Sequence, residues 1–404
     1  MIPKGLNLQF GIIDHHISKN NYEFALFRNN PRIEGGLRLS ESESYYQLAR
    51  RRGVTRRDFL KFCALTGAML GLDAAEFPKI VQALESKPRL PVIYLNLQEC
   101  TCCTESLLRS AHPLIADLLF NMISLDYMEP LQAAAGKQAE EVRLKTMKDY
   151  PGAYLLIVEG SATLGDGGVY CTIGGKSSTE LLKEVANGAA AVIAYGSCAT
   201  NACVQGAYPN PTQAVPIRKV VKNKPVIDVP GCPPIAEVIT GTIVHYLTYG
   251  KIPELTNLGR PKAFYQHRVH DNCVRRAFFD AGQFVETFDD AGAKQGWCLY
   301  KLGCKGPTTY NACAITEWND GVSYPIKSGH PCIGCSENNY FDNTPFYTRL
   351  APIPNNAIGK DADTIGAGLL GLTGIAVAAH AGMTAVVKNR EKKGKESNHD
   401  KTRN

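Results

Sequence analysis

The chain has 404 residues, enough for two or three domains, and its 44% hydrophobic and 20% charged content is ordinary for a globular protein. The net charge of +6 is mild and much of it lies near the two ends, so it makes no case for a nucleic-acid partner. The 14 cysteines are the unusual count; they cluster with His, Gly and Pro, which points to metal rather than to a disulfide lattice.

Residues 1–49 are polar and aperiodic around Ser18-Lys19-Asn20-Asn21 and Ser40-Glu41-Ser42-Glu43-Ser44, and read as a disordered or wrongly assigned N-terminal extension. Residues 50–83 read as an export signal. Arg50-Arg51-Arg52-Gly53-Val54-Thr55-Arg56-Arg57-Asp58-Phe59-Leu60-Lys61 carries a twin-arginine pattern, and the apolar run from Phe62 to Leu72 is too short to span a bilayer. Val81-Gln82-Ala83 offers small residues for cleavage, which would leave Leu84 first. A twin-arginine route exports folded protein, which suits a chain loaded with metal beforehand. Cys63 reads as incidental.

Residues 84–255 read as an α/β domain. Val92–Leu97, Tyr154–Val158, Ala190–Ala194 and Pro225–Val229 are apolar runs without alternation, as expected of parallel strands covered on both faces. Helices are expected near Ser106–Phe120, Thr179–Ala186 and Ile235–Tyr249. The first strand leads into Glu99-Cys100-Thr101-Cys102-Cys103-Thr104, the second into Glu159-Gly160-Ser161, the third into Gly196-Ser197-Cys198 with Cys203 beyond, and the fourth into Gly231-Cys232-Pro233. Ligands bind at that edge of open α/β sheets, and a helix following at once would offer the thiolates its N-terminal N–H groups. Thiolates from separate loops suit an iron–sulfur cluster. Structural zinc or buried free cysteines are the alternatives. Cys171, with no near cysteine, reads as a small buried hydrophobe.

Regular periodicity fades over residues 256–350. His270 and Cys273 are followed by Cys298, Cys304, Cys313, Cys332 and Cys335, six cysteines and one histidine that could divide into one four-ligand and one three-ligand set. A segment so poor in patterned apolar sequence needs metal binding to contribute folding free energy. Zinc knuckles would serve that purpose too. Beyond a linker at 351–364, residues 365–387 lack Asp, Glu, Lys and Arg and are long enough to span a membrane; the following tail, 388–404, opens with Lys388, Arg390, Lys392, Lys393 and Lys395. The positive-inside rule puts that tail in the cytoplasm and the folded domains outside, in agreement with the export signal. His380 lies within the apolar run, where an ionisable group is a candidate for contact with a haem-bearing partner or for a helix–helix hydrogen bond.

Over residues 50–390 these motifs resemble the small, electron-transferring subunit of membrane-bound nickel–iron hydrogenases, closest to the oxygen-tolerant uptake class. The resemblance implies a flavodoxin-like α/β domain, an irregular cluster-binding C-terminal domain and a single C-terminal transmembrane helix. It implies a proximal cluster held by Cys100, Cys103, Cys198 and Cys232, with Cys102 and Cys203 as the two extra cysteines of a 4Fe–3S rather than an ordinary 4Fe–4S cluster. Glu159 matches a carboxylate that can bind one iron when that cluster is oxidised. A distal 4Fe–4S cluster would take His270, Cys273, Cys298 and Cys304, and a medial 3Fe–4S cluster Cys313, Cys332 and Cys335, with Pro325 where related proteins carry a fourth cysteine. The implied function is hydrogen uptake. The large subunit splits H2, and this chain, which supplies no catalytic acid or base, passes electrons to a cytochrome b and the quinone pool from the periplasmic side of the inner membrane. The related cluster-bearing protein of respiratory complex I is the alternative, and residues 256–345 argue against it.

Overall fold

Alternate side chains of a β-strand point to opposite faces, so an unbroken apolar run needs a core on each side. The computed structural model describes Ser44, Tyr46, Gln47, Arg50 and residues 55–69, 77–86, 89–343, 345–350 and 362–401. The extension assigned to 1–49 and the linker assigned to 351–364 fall almost wholly outside those residues. Five parallel strands form the central sheet: β1 (Leu90–Asn96), β2 (Ile123–Tyr127), β3 (Leu155–Glu159), β4 (Ala191–Tyr195) and β5 (Val226–Val229), in the order β2-β1-β3-β4-β5. This is the flavodoxin-like strand order, in which the chain switches sides between β1 and β3.

Tyr94, Ile157, Ile193 and Ile227 turn to one face, where the helix Ala236–Tyr249 supplies Val238, Ile239, Ile243 and Leu247. Leu95, Leu156, Val158 and Val192 turn to the other and meet Leu181, Leu182 and Val185 of the helix Ser178–Gly188. That helix starts with a capping box in which Ser177 and Glu180 each bond the other's backbone N–H.

Two expectations need correction. The helix after β1 spans only Cys102–Leu108, not Ser106–Phe120; Ala111 and Leu114 form an isolated bridge around Pro113, whose ring and missing N–H keep residue 112 and its neighbours out of a helix. Helical turns resume at Ile115–Asp117 and Leu118–Met122. The second correction is β2, an edge strand whose middle residues are only half buried, so its apolar signal is weak.

The segment read as an export signal forms two helices, Arg56–Met69 and Phe77–Ser86. Phe59, Cys63 and Ile80 are fully buried against the core that faces Ala236–Tyr249, so Cys63 is a packing residue in this uncleaved chain. The small-residue motif at Val81-Gln82-Ala83 lies inside the second helix.

Past Arg260 the architecture changes. Helices there are three to five residues long until the last, strands give way to isolated bridges, and the largest apolar cluster gathers Val269, Val285, Leu299, Leu302, Tyr324 and Ile326 around Cys304. The final helix runs from Ala362 to Lys401 without a break, so the basic tail continues the helix rather than leaving it at residue 387. Its stretch Gly368–Glu391 has a mean hydropathy of 1.7, and Leu369, Leu370, Leu372, Ile375, Val377 and Met383 are all exposed. His380 is exposed on the same stretch.

Candidate metal centre

Pairing register brings the strand ends level. Asn96 of β1 pairs with Glu159 of β3, Glu159 with Tyr195 of β4, and Tyr195 with Val229 of β5. The loops that leave this row carry Cys100, Cys102 and Cys103; Cys198 and Cys203; and Cys232. They therefore open on one edge, at the switch between β1 and β3. Gly196 N–H donates to Val229 C=O and Ser197 N–H to Gly231 C=O, which locks the third and fourth loops together. Gly196 has φ +89, and a Cβ there would lie 2.3 Å from Cys103 Sγ, so only glycine leaves room for that sulfur. Cys203 Sγ is 3.9 Å from Cys232 Sγ. Cys103, Cys198 and Cys203 are buried, while Cys100, Cys102 and Cys232 are open to solvent. Burial pushes the Cys103 thiol well up, and Glu159, Cys232, Cys100 and Cys102 raise it further by charge repulsion. Burial likewise pushes Cys100 up to about 11. Such thiols give up their protons only when a metal takes their place.

Glu159 is 1% exposed and its carboxylate is the hub of the β1 and β3 ends. Oε2 accepts from Tyr94 Oη at 2.9 Å, Asn96 Nδ2 at 3.2 Å, Thr104 N at 3.1 Å and Thr104 Oγ1 at 2.6 Å. Oε1 accepts from Cys103 N at 3.0 Å. The Cys103 and Thr104 N–H groups in the first turn of the Cys102–Leu108 helix are thus taken by this carboxylate, while the Cys102 N–H serves the Cys100 sulfur and lowers its pKa against burial, so support from the helix start reaches that cysteine.

The C-terminal set divides as its spacing suggests. His270, Cys273, Cys298 and Cys304 line one small cavity with Arg275 and Ile326. Tyr324 Oη donates to Cys273 Sγ at 3.7 Å, and Phe279 meets the His270 ring edge-on at 4.6 Å. Burial lowers the His270 pKa, so the imidazole is a neutral donor at pH 7. Cys313, Cys332 and Cys335 form a second group: burial raises Cys313 first, then the charges of Cys335 and Cys332. The group sits between the other two. Burial pushes Cys335 up to about 11, with Cys232 of the sheet edge facing it; burial raises Cys332 as well, with Cys304 of the cavity facing it. Pro325 is exposed, between the buried Tyr324 and Ile326. Cys63 and Cys171 join none of these groups; Cys171 packs beside the second core.

Among the described residues, no three His, Cys, Asp or Glu side chains converge closely enough to hold a single metal ion. In chemical terms, soft sulfur with one imidazole is a donor set that fits iron–sulfur clusters.

Comparison with known proteins shows the family to which the chain belongs. Residues 265–347 match the family described as the C-terminal part of the NiFe/NiFeSe hydrogenase small subunit. Residues 100–246 match the family described as the NADH ubiquinone oxidoreductase 20 Kd subunit. The uptake hydrogenase small subunit of Azotobacter vinelandii is 57% identical over 354 residues, 88% of this chain and 99% of the relative. The chain belongs to the small subunits of nickel–iron hydrogenases. The hydrogenase-1 small chain of Escherichia coli (strain K12) is 53% identical over 352 residues, 87% of this chain and 95% of that one. The structure of the Ni-Fe-Se hydrogenase from Desulfomicrobium baculatum superposes with a TM-score of 0.62 at 31% identity, covering 65% of this chain and 100% of that one. As a hydrogenase small subunit the chain is part of an enzyme, pairs with a large subunit, and comes from a family that binds iron–sulfur clusters. The complex I alternative accounts only for the sheet domain, since the C-terminal half matches the hydrogenase family.

Sequence reasoning missed three residues of the site. Gly196, Ser197 and Tyr340 hold the sulfurs in place. Ser197 Oγ donates to Cys335 C=O and accepts from Gly231 N at 3.0 Å. A glycine followed by a hydroxyl at the end of a buried strand, next to a cysteine, was the available signal for the first two.

Proposed function

We propose that this small subunit passes electrons from the large subunit through three iron–sulfur clusters to a cytochrome b and the quinone pool, in an oxygen-tolerant uptake hydrogenase facing the periplasm. The observation that carries the reading is the spatial order of the cysteine groups. Cys232 of the sheet edge faces Cys335, and Cys332 faces Cys304, so the middle group bridges the two outer ones. Clusters bound there supply one-electron carriers.

The residues divide as follows. Cys100, Cys103, Cys198 and Cys232 hold the proximal cluster, with Cys102 and Cys203 as extra ligands of the 4Fe–3S form. Glu159 holds the Cys103 and Thr104 backbone, and its Oε1, which takes a single donor, is the oxygen able to turn toward an iron. Cys313, Cys332 and Cys335 hold a medial 3Fe–4S cluster. His270, Cys273, Cys298 and Cys304 hold a distal 4Fe–4S cluster, whose neutral imidazole raises its potential relative to four thiolates. His270 and Cys273 are only half buried, which suits an exit point. The exposed helix Gly368–Glu391 anchors the complex in the inner membrane with the basic end in the cytoplasm, and the exposed His380 on it is a candidate for contact with the cytochrome or for a helix–helix hydrogen bond. Arg56 and Arg57 direct export through the twin-arginine machinery.

The test is purification of the native heterodimer with iron and nickel analysis and a redox titration followed by electron paramagnetic resonance. The expected result is three iron–sulfur centres and H2-dependent dye reduction; zinc in place of iron, or fewer centres at full iron content, overturns it. For oxygen tolerance, Cys102→Gly with Cys203→Gly is expected to keep anaerobic H2 oxidation and to lose activity at low O2. Turnover in O2 equal to the parent's removes that part of the reading.

A further inference from the structure

Tyr340 begins a short helix, Tyr340–Asn343, five residues after Cys335, and is 5% exposed. Its phenol oxygen lies 3.3 Å from Cys203 Sγ, and Cys203 Sγ lies 3.9 Å from Cys232 Sγ. The ring is held rather than merely near. Phe341 packs on it at 4.5 Å and Phe346 stacks at 6.5 Å. The segment that carries it is fastened to the sheet edge at three further points: Ser197 Oγ donates to Cys335 C=O, Asn201 Nδ2 donates to Glu337 C=O at 3.2 Å, and Asp342 Oδ2 accepts from Tyr208 N at 3.0 Å. The phenol hydroxyl thus has one sulfur in hydrogen-bond reach, Cys203, with Cys232 next to that sulfur.

An iron-bound thiolate has no proton to give, so in the loaded protein the phenol is the donor. A hydrogen bond withdraws electron density from the sulfur and stabilises the more negative, reduced state of the cluster, which raises its potential. Resting on the ligand assignment above, we propose that Tyr340 is a positioning residue that donates to Cys203 and sets the potential of the proximal cluster. It acts through one of the two extra cysteines, whose sulfur lies 3.9 Å from Cys232 Sγ.

The test uses the intact heterodimer. Tyr340→Phe removes the hydroxyl and keeps the ring. The proximal cluster is expected to become harder to reduce, with the oxidised-to-reduced ratio at fixed potential rising about tenfold, the size of one hydrogen bond to a charged acceptor. The medial and distal centres should titrate as in the parent. Phe341→Leu loosens the same aromatic cover without touching the hydroxyl and should leave the proximal potential in place. Resonance Raman of the parent in H2O and D2O provides a measurement that needs no variant: iron–thiolate stretches should shift on deuteration. No deuterium shift in the parent, an unmoved potential in a fully iron-loaded Tyr340→Phe, or an equal change in Phe341→Leu overturns the proposal. Absence of a proximal centre from the parent itself would instead overturn the ligand assignment.

Discussion

The two halves of this small subunit reach order by different means. From Leu90 to Tyr249 the chain has five parallel strands with an apolar core on each face, and its strand residues are almost all buried. From Arg260 to Arg349 it has turns and helices of three to five residues around one small cluster of apolar side chains, with seven of its His and Cys side chains in two groups. Burial of apolar area stabilises the first half. The second half has fewer buried apolar side chains, and on the proposed ligand assignment metal–ligand bonds would supply the remainder.

Stripping iron with a chelator should expose this difference most strongly. Hydrogen exchange is expected to show amides of 265–343 losing protection while those of β1, β3 and β4 keep theirs. Equal loss in both halves, or loss in neither, would break the contrast. Leu156→Ala empties a fully buried site in β3 and should cost about 2–5 kcal/mol, with the distal centre's resonance unchanged. The check is chemical denaturation beside the spectrum of the folded fraction. Glu159→Gln sharpens the contrast at the seam. It turns an amide N–H2 toward donors that need an acceptor, and the expected loss is about 1–3 kcal/mol by the same measurement. The smallest effect on folding belongs to a stop codon after Ala362. Denaturation of the soluble part should move by no more than about 0.5 kcal/mol, because Leu369 to Val387 are exposed and touch neither half. The protein should then leave the membrane fraction; sedimentation with membranes in high salt would show another anchor.

Much of the sheet edge was legible because β1, β3, β4 and β5 are mostly apolar runs that lead into loops carrying Gly, Cys or Glu. β2 was not, because an edge strand buries only part of Ile123-Ser124-Leu125-Asp126-Tyr127, and its alternation is short. The helix expected near Ser106–Phe120 stops at Leu108 because Pro113 outweighs periodicity. The cysteine groups were legible through spacing and resemblance, and the cavity lined by His270, Cys273, Cys298 and Cys304 brings one set together as expected. The role of Glu159 as acceptor was not, since Tyr94 and Asn96 stand 65 and 63 residues away in sequence and meet it only through register. Tyr340 carries no motif of its own; only the fastening of 335–343 onto the 197–208 loop shows what it touches.

That fastening has a consequence in time. Cys103 leaves the ribosome long before the segment that closes over its neighbours. At typical synthesis rates, the 237 residues from Thr104 through Tyr340 take roughly 10 to 50 s to make. During that interval the first strand ends can form while the cover that carries Tyr340 does not yet exist. The Cys203 sulfur thus stays without its Tyr340 cover until the last part of the folded chain has been made.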